Sequence, residues 1–207
     1  MRDEARVVIR AADRPGDLGW IVLAHGEIYA DQFGWNTDFE ALVAGIVGDC
    51  ATRRDPATDA AWIAEVDGVR AGCVLCVRGA EPGVAVLRTL LVTPAARGLG
   101  VGTALVDQVL AFARATGNTR VTLWTTDAQS SAHRIYEAAG FTRTTDEPHH
   151  RFGLEVRGQD WTLDLTPAPL GRERGGSGFA TASETPTARP LASGSVRRAP
   201  SAGPGPR

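Results

Sequence analysis

The stretch "RGLGVGTAL", Arg97 to Leu105, places glycines at 98, 100 and 102, directly behind an apolar run and directly ahead of a helical pattern. A loop with minimal side chains at a helix N-terminus aims unpaired backbone N–H groups and the positive end of the helix dipole into one space. An anion, most often a phosphate, belongs there. The alternative is that the glycines only permit a tight turn. Gly98 and Gly100 would need a third glycine at 103 to make a dinucleotide-binding fingerprint, and that position is Thr103; no Gly-Lys-Ser/Thr follows for a triphosphate loop. Both of those nucleotide sites are disfavoured.

Other chemistry-bearing residues form weaker patterns. Cys73 and Cys76 have redox-motif spacing, but "AGCVLCV" reads as a strand, where positions three apart point to opposite faces; buried structural cysteines are expected. His149 and His150 in "EPHHRFG" point apart as neighbours and have no evident third ligand, so no metal is expected and a loop lining an acceptor site is the better reading. His25, Glu27 and Tyr29 fall together in "AHGEIYADQFGW". All 22 cations of the chain are Arg, which excludes lysine chemistry on the protein itself.

The elements that must position these groups follow from periodicity. "ARVVIRAA" alternates as a first strand; "RPGDLGWIVLAHGEIYADQFG" offers one or two helices with Leu18, Val22 and Ile28 among the inward candidates; "DFEALVAGIVGDCA" has a firmer helical period through Leu42, Val43, Ile46 and Val47. "AAWIAEVDGVRAGCVLCV" is two strands about an Asp67-Gly68 hairpin turn. "VAVLRTLLV" (Val84 to Val92) is a long strand leading into the glycine loop. The helix behind that loop turns Val101, Leu105, Val109 and Phe112 inward and stops at Gly117. A strand at Arg120 to Thr126, a short helix ended by Gly140, and β-rich sequence to residue 166 complete a mixed α/β domain with no internal repeat.

The chain has 207 residues and a formal charge of −2. From Pro167 to Arg207 it is almost wholly Pro, Gly, Ser, Ala, Thr and Arg, and such a segment cannot bury enough surface to offset its ordering entropy. A domain over 1–166 and a disordered tail over 167–207 are expected. Six Arg and two Glu give the tail +4, leaving −6 on the body, which argues against a nucleic-acid partner. No run of 18 apolar residues and no secretion-signal core is present, so no membrane partner and a cytoplasmic location are expected.

"LLVTPAARGLGVGTALV", followed some thirty residues later by "AHRIYEAAGF", resembles the GNAT superfamily of acyl-CoA-dependent N-acyltransferases, whose phosphate loop is Arg/Gln-x-x-Gly-x-Gly/Ala. Here that pattern is Arg97, Gly100 and Gly102, and a Tyr-Glu-x-x-Gly-Phe motif follows from Tyr136. More narrowly, "RPGDLGWIV", "LRTLLVTPAARGLG", "VTLWTT", "EPHHRFG" and "QDWTLDL" look like the acetyltransferase half of bacterial proteins that fuse a MarR-type winged-helix regulator to a GNAT domain. The chain starts at the first acetyltransferase strand, so regulation of transcription is not expected of it.

The resemblance implies an α/β GNAT acyl-CoA N-acyltransferase fold: a mixed, mostly antiparallel sheet flanked by helices. It implies acetyl-CoA as co-substrate, with amides from Arg97, Gly98, Leu99, Gly100, Val101, Gly102 and Thr103 on its pyrophosphate. Leu91, Val92 and Thr93 would offer main-chain partners to the pantetheine arm between splayed strands. Tyr136 takes the position whose hydroxyl commonly faces the CoA sulfur. Gln129 replaces the usual Asn seven residues before it and retains a donor for a pantetheine carbonyl. Many GNAT enzymes place a Glu on the strand before the phosphate loop, but "VAVLRTLLV" contains no acid, so the general base is expected among Glu27, His25 and Glu65, with Glu27 first. Trp124, near the strand splay, is the tryptophan expected to touch a ligand. The implied reaction is acetyl transfer to a small amine acceptor. Protein N-acetylation and a non-catalytic acyl-CoA sensor are the alternatives, and a homodimer is expected.

Overall fold

The computed structural model describes residues 6–53 and 55–165; the tail expected at 167–207 lies outside the described residues. Alternation at the N-terminus produces β1 (Val7–Ala11), which pairs antiparallel with β2 (Ala60–Val66). Between them run two helices, α1 (Asp17–Phe33) and α2 (Thr37–Arg53). The helical stretch at 17–33 is thus one helix, bounded at both ends by left-handed glycines, Gly16 and Gly34. Asp17 anchors its first turn: the fully buried carboxylate accepts from Arg10 at 2.6 and 3.0 Å, from Arg70 at 3.0 Å and from the Arg14 amide at 3.0 Å. That Arg10 contact, followed by the amide and Arg70, holds its pKa down at about 2.

β2 turns into β3 (Val69–Arg78) through Asp67 and Gly68, both at positive φ (50° and 82°), the backbone that an Asp-Gly hairpin supplies. β4 (Val84–Val92), α3 (Val101–Ala115), β5 (Arg120–Thr126) and α4 (Ser130–Ala138) follow as read from the sequence, and a 3-10 turn, Pro94–Ala96, lies between β4 and α3. The C-terminal stretch gives β6 (Thr142–Arg143), β7 (Glu147–Arg151) and β8 (Leu154–Asp164). The "EPHHRFG" segment is therefore a strand and hairpin turn, not a loop.

The sheet order is β1-β2-β3-β4-β5-β8-β6, with β7 also paired to β8, and β4–β5 is its only parallel pair among the described residues. It is the mixed, mostly antiparallel sheet that was expected. One face packs on α3 through Val74, Leu87, Leu105, Val106 and Val109; the other carries α1 and α2 through Ile21, Val43, Val47, Ile63 and Leu75. Cys73 and Cys76 fall on opposite faces, both buried as free thiols whose pKa values burial raises, to about 12 for Cys76. The inward face of α1 differs from the expectation. Ile21, Ala24, His25 and Tyr29 are buried, whereas Leu18, Val22 and Ile28 are only half-buried.

Candidate active site

The site begins with a defect in β4. Two steps along β3, from Cys73 to Leu75, face three along β4, from Leu91 to Arg88, so β4 carries one extra residue. Thr89 sits in that bulge at φ 50°, an uncommon conformation for a β-branched residue, and its buried hydroxyl has no hydrogen-bond partner among the described residues. An extra residue reverses which side each later side chain faces. Ala85 and Leu87 lie on the α3 side, but after the bulge Leu90 and Val92 take that side and Leu91 turns toward α1 and α2. Arg88 is the last residue before the switch and lines a chamber on the α1/α2 side.

The parallel pairing of β4 with β5 runs only from Val84/Arg120 to Val86/Thr122. Beyond it the two strands have no paired register, and a cleft of about 560 Å³ opens at the end of β4, walled by α1, α3 and α4. Its floor includes Leu91 and Val92, and one wall is the glycine loop with Arg97, Gly98, Gly100, Val101, Gly102 and Thr103. Gly98 and Gly100 have φ of 79° and 76°, and a Cβ at either would meet nothing within 4 Å. They therefore serve conformation and open access rather than packing. Gly102 is different: a Cβ there would lie 2.6 Å from the Ile135 side chain, so this glycine lets α3 approach α4. Gly100 is the N-cap and supplies no side chain, which leaves the first amides of α3 unclaimed by a cap. The Arg97 guanidinium donates to Gln32 Oε1 at 2.7 Å, tying the loop to α1.

A smaller chamber of about 70 Å³ lies on the other side of the bulge, lined by His25, Tyr29, Phe39, Arg88, Thr89, Trp124 and Tyr136, among others. Tyr29, Leu90 and Gln129 line both spaces and mark where they meet. A hydrogen-bond chain fixes this junction: Thr125 Oγ1 donates to Gln129 Oε1 at 2.8 Å, Gln129 Nε2 donates to Tyr29 OH at 2.9 Å, and Tyr29 OH donates to the Leu90 carbonyl at 3.2 Å. Burial raises the pKa of the Tyr29 phenol beyond its ordinary value. Phe39 stacks on Tyr29 with ring centroids 4.7 Å apart, and Trp35, Phe33 and Phe152 complete an aromatic wall.

Tyr136 is buried against Phe141 and Trp161, lines the chamber, and has a pKa raised by burial and then by Tyr29, so it stays protonated far above neutral pH. His25 is 1 % exposed, and burial pushes its pKa down to about 4, against the opposing pull of the Ile21 and Thr89 backbone. Its Nδ1 lies 2.7 Å from the Ile21 carbonyl. A carbonyl only accepts, so the neutral ring carries its proton on Nδ1 and its lone pair on Nε2. That Nε2 is buried with no hydrogen-bond partner among the described residues.

The other residues expected at the site are distributed as follows. Glu27 lies on the exposed face of α1 and lines neither space, because the helix turns positions 25 and 29 inward. Glu65 is committed to Arg10 at 2.6 Å and lines neither space. Thr93 gives its amide to the Ala71 carbonyl at 2.8 Å, and Leu99 points its side chain to solvent with its amide turned to the Ala96 carbonyl; neither lines the cleft. Gln129 spends its carbonyl on Thr125 and the Thr126 amide, and one amide proton on Tyr29. His150 pairs with Glu155 at 2.7 Å, and His149 stands against the Trp124 ring at 6.4 Å between centroids; neither lines the chamber. The residues that sequence reading missed are Arg88, Thr89 and Phe39. A charged residue in an otherwise apolar strand was the one available signal.

Residues 22–141 match the acetyltransferase (GNAT) family. The chain belongs to that family of acetyltransferases. An N-acetylaspartate synthetase of Xenopus tropicalis is 34% identical over 89 residues, 43% of this chain and 33% of that protein. The chain thus matches about a third of the length of that relative. An uncharacterized N-acetyltransferase of Schizosaccharomyces pombe is 26% identical over 150 residues, 72% of this chain and 91% of the relative. The solved structure of yncA from Salmonella typhimurium with its cofactor acetyl-CoA superposes with a TM-score of 0.60 at 20% identity, covering 81% of this chain and 98% of that one, which establishes the shared fold. The helix-flanked mixed sheet is the GNAT fold.

Proposed function

We propose that the protein transfers the acetyl group of acetyl-CoA to the amine of a small acceptor, with donor and acceptor bound together. The observation that carries this reading is the meeting of two differently built spaces at Tyr29, Leu90 and Gln129. The large cleft suits the donor. Open backbone at Gly98 and Gly100, the uncapped amides of α3 and the nearby Arg97 and Arg134 would hold a pyrophosphate, and the unpaired edge of β4 at Leu91 and Val92 would hold a pantetheine arm. When bound, acetyl-CoA supplies an electrophilic thioester carbonyl.

The chamber residues then do the remaining work. Aromatic walls exclude water, which strengthens every polar contact inside. Attack requires a neutral amine, and His25 Nε2 is a buried lone pair that can accept an amine N–H. Tyr136, which lines the chamber and is kept protonated by burial, would be the group that gives a proton to the departing thiolate. The main contribution is alignment of two substrates at one junction. The small-molecule name of the Xenopus tropicalis relative, N-acetylaspartate synthetase, supports a small acceptor, as does the chamber's limited volume. The likeness to the acetyltransferase half of MarR-type fusions supports the catalytic half of this reading alone.

Calorimetric titration of the full chain with acetyl-CoA, followed by a free-thiol release assay over a panel of amines, tests the reading. Micromolar binding and amine-dependent thiol release are expected; no binding would overturn it. Tyr136→Phe should lower kcat by about a hundredfold or more, the range for loss of one general acid, and leave acetyl-CoA affinity unchanged. An unaltered kcat with chemistry rate-limiting would remove the acid role.

A further inference from the structure

Arg88 stands apart from the other cations that the structure fixes. Arg10, Arg53, Arg70, Arg120, Arg143 and Arg157 each hold a carboxylate within 3.0 Å. Arg88 has no ion pair and no hydrogen bond among the described residues, although it is only partly exposed and lines the acceptor chamber. Its surroundings disfavour its charge: burial lowers its pKa, and only the through-space field of Asp160 opposes that. Asp160 itself is turned to Thr145, whose hydroxyl donates to it at 2.7 Å. A guanidinium taken partly out of water with no counter-ion is costly, and a bound anion would recover the cost.

The remainder of the chamber wall sharpens the point. Among the described residues no Asp or Glu lines it, so none of them there matches a second cationic group on an acceptor. The charge it does present is the Arg88 guanidinium, whose planar fork suits a carboxylate. The unpartnered Thr89 hydroxyl and His25 Nε2 lie in the same wall and offer a donor and a lone pair. Alternation from Ala85 and Leu87 turns Arg88 toward α1 and α2, and the bulge that follows it sets Thr89 in the same wall.

We infer that the acceptor is an amine that also bears a carboxylate, of amino-acid type, and that Arg88 binds that carboxylate. This rests on the small-acceptor reading above. Polyamines and other purely cationic amines are excluded by the same wall.

The test is thiol release by the full chain with the twenty common amino acids, each beside its carboxamide and its decarboxylated amine, together with acetyl-CoA titration of every variant. At least one free amino acid should exceed both of its neutral-end partners in kcat/KM by on the order of 10- to 100-fold, the range for a charge-assisted hydrogen-bonded pair. Arg88→Gln should erase that preference mainly through KM, Arg88→Lys should restore part of it, and acetyl-CoA affinity should persist in both. If acetyl-CoA binds but no amino acid outperforms its amide and amine, the inference is overturned while the donor reading stands. A preference that survives Arg88→Gln also overturns it. Failure of wild-type chain to bind acetyl-CoA would bring down the function as well.

Discussion

The cleft proposed for the donor offers mainly backbone, and the chamber proposed for the acceptor offers mainly side chains. In the cleft, six of the seven positions from Arg97 to Thr103 contribute wall, and what they offer is amides, open glycine conformations and a helix terminus. In the chamber, His25 and Tyr29 come from α1, Phe39 from α2, Arg88 and Thr89 from β4, Trp124 and Thr125 from β5, and Tyr136 from α4. A backbone site can be kept while surrounding side chains change. A side-chain site changes its ligand with each substitution, so one fold can hold the donor constant and vary the acceptor.

The largest expected break in that contrast is at Gly100. Asp and Asn tolerate a left-handed φ better than other non-glycine residues and are favoured at N-caps, so both should preserve α3. Gly100→Asp puts a carboxylate where the pyrophosphate would lie and should weaken acetyl-CoA binding by about a hundredfold or more, given the energy of close like charges near a surface. Gly100→Asn, equal in shape and uncharged, should cost far less. Equal losses by calorimetry would mean the loop acts through shape and not through its field.

A middle-sized effect is expected in the chamber, at His25. Its folded pKa of about 4 lies below the ordinary imidazole value, so folded and unfolded chains bind the same proton count above about pH 6.5. Between that pH and 4 the unfolded state takes up a proton that the folded state refuses, and stability must fall as pH falls through the window. The loss at pH 5 is about 2 kcal/mol relative to pH 7.5 for this group. Urea unfolding at the two pH values, in wild type and in His25→Gln, isolates it: the variant should lose that increment of pH dependence. An identical slope in both would show that His25 is not buried as a neutral ring.

The same contrast explains what could be read from the chain. The cleft was legible because its determinants are local: Gly98, Gly100, Gly102 and the helix behind them lie in one short stretch, between a strand and a helix whose periods are clear. The chamber was not. Hydrophobic periodicity directs attention to Leu18, Val22 and Ile28 on α1, but tertiary packing turns His25 and Tyr29 inward, where Phe39 of α2 packs against both rings and the Leu90 carbonyl of β4 accepts from Tyr29. Strand alternation alone turns Arg88 to the α1/α2 side, but what it meets there, with Thr89 set beside it, depends on the bulge. No glycine marks that bulge, and a Thr at positive φ leaves no trace in sequence pattern. Tyr136 and Gln129 were found through the family motif, yet the bonds that commit Gln129 to Thr125 and Tyr29 involve a residue one hundred positions away.

The smallest effect is expected at Glu27, and its smallness is informative. With "VAVLRTLLV" free of acids, a carboxylate from α1 was the natural substitute for a strand base, and Glu27 sits two residues from both His25 and Tyr29. A separation of two on a helix is about 200° of rotation, which puts Glu27 on the side away from its neighbours. The structure has it exposed and outside both spaces. Glu27→Gln should therefore leave kcat/KM within about twofold of wild type at every pH from 6 to 9, since an exposed substitution away from the site changes little. A large loss, steepest at low pH, would place a carboxylate in the proton path after all and would require water to connect the outer face of α1 to the chamber; activity retained across the series leaves His25 as the lone pair available to the amine.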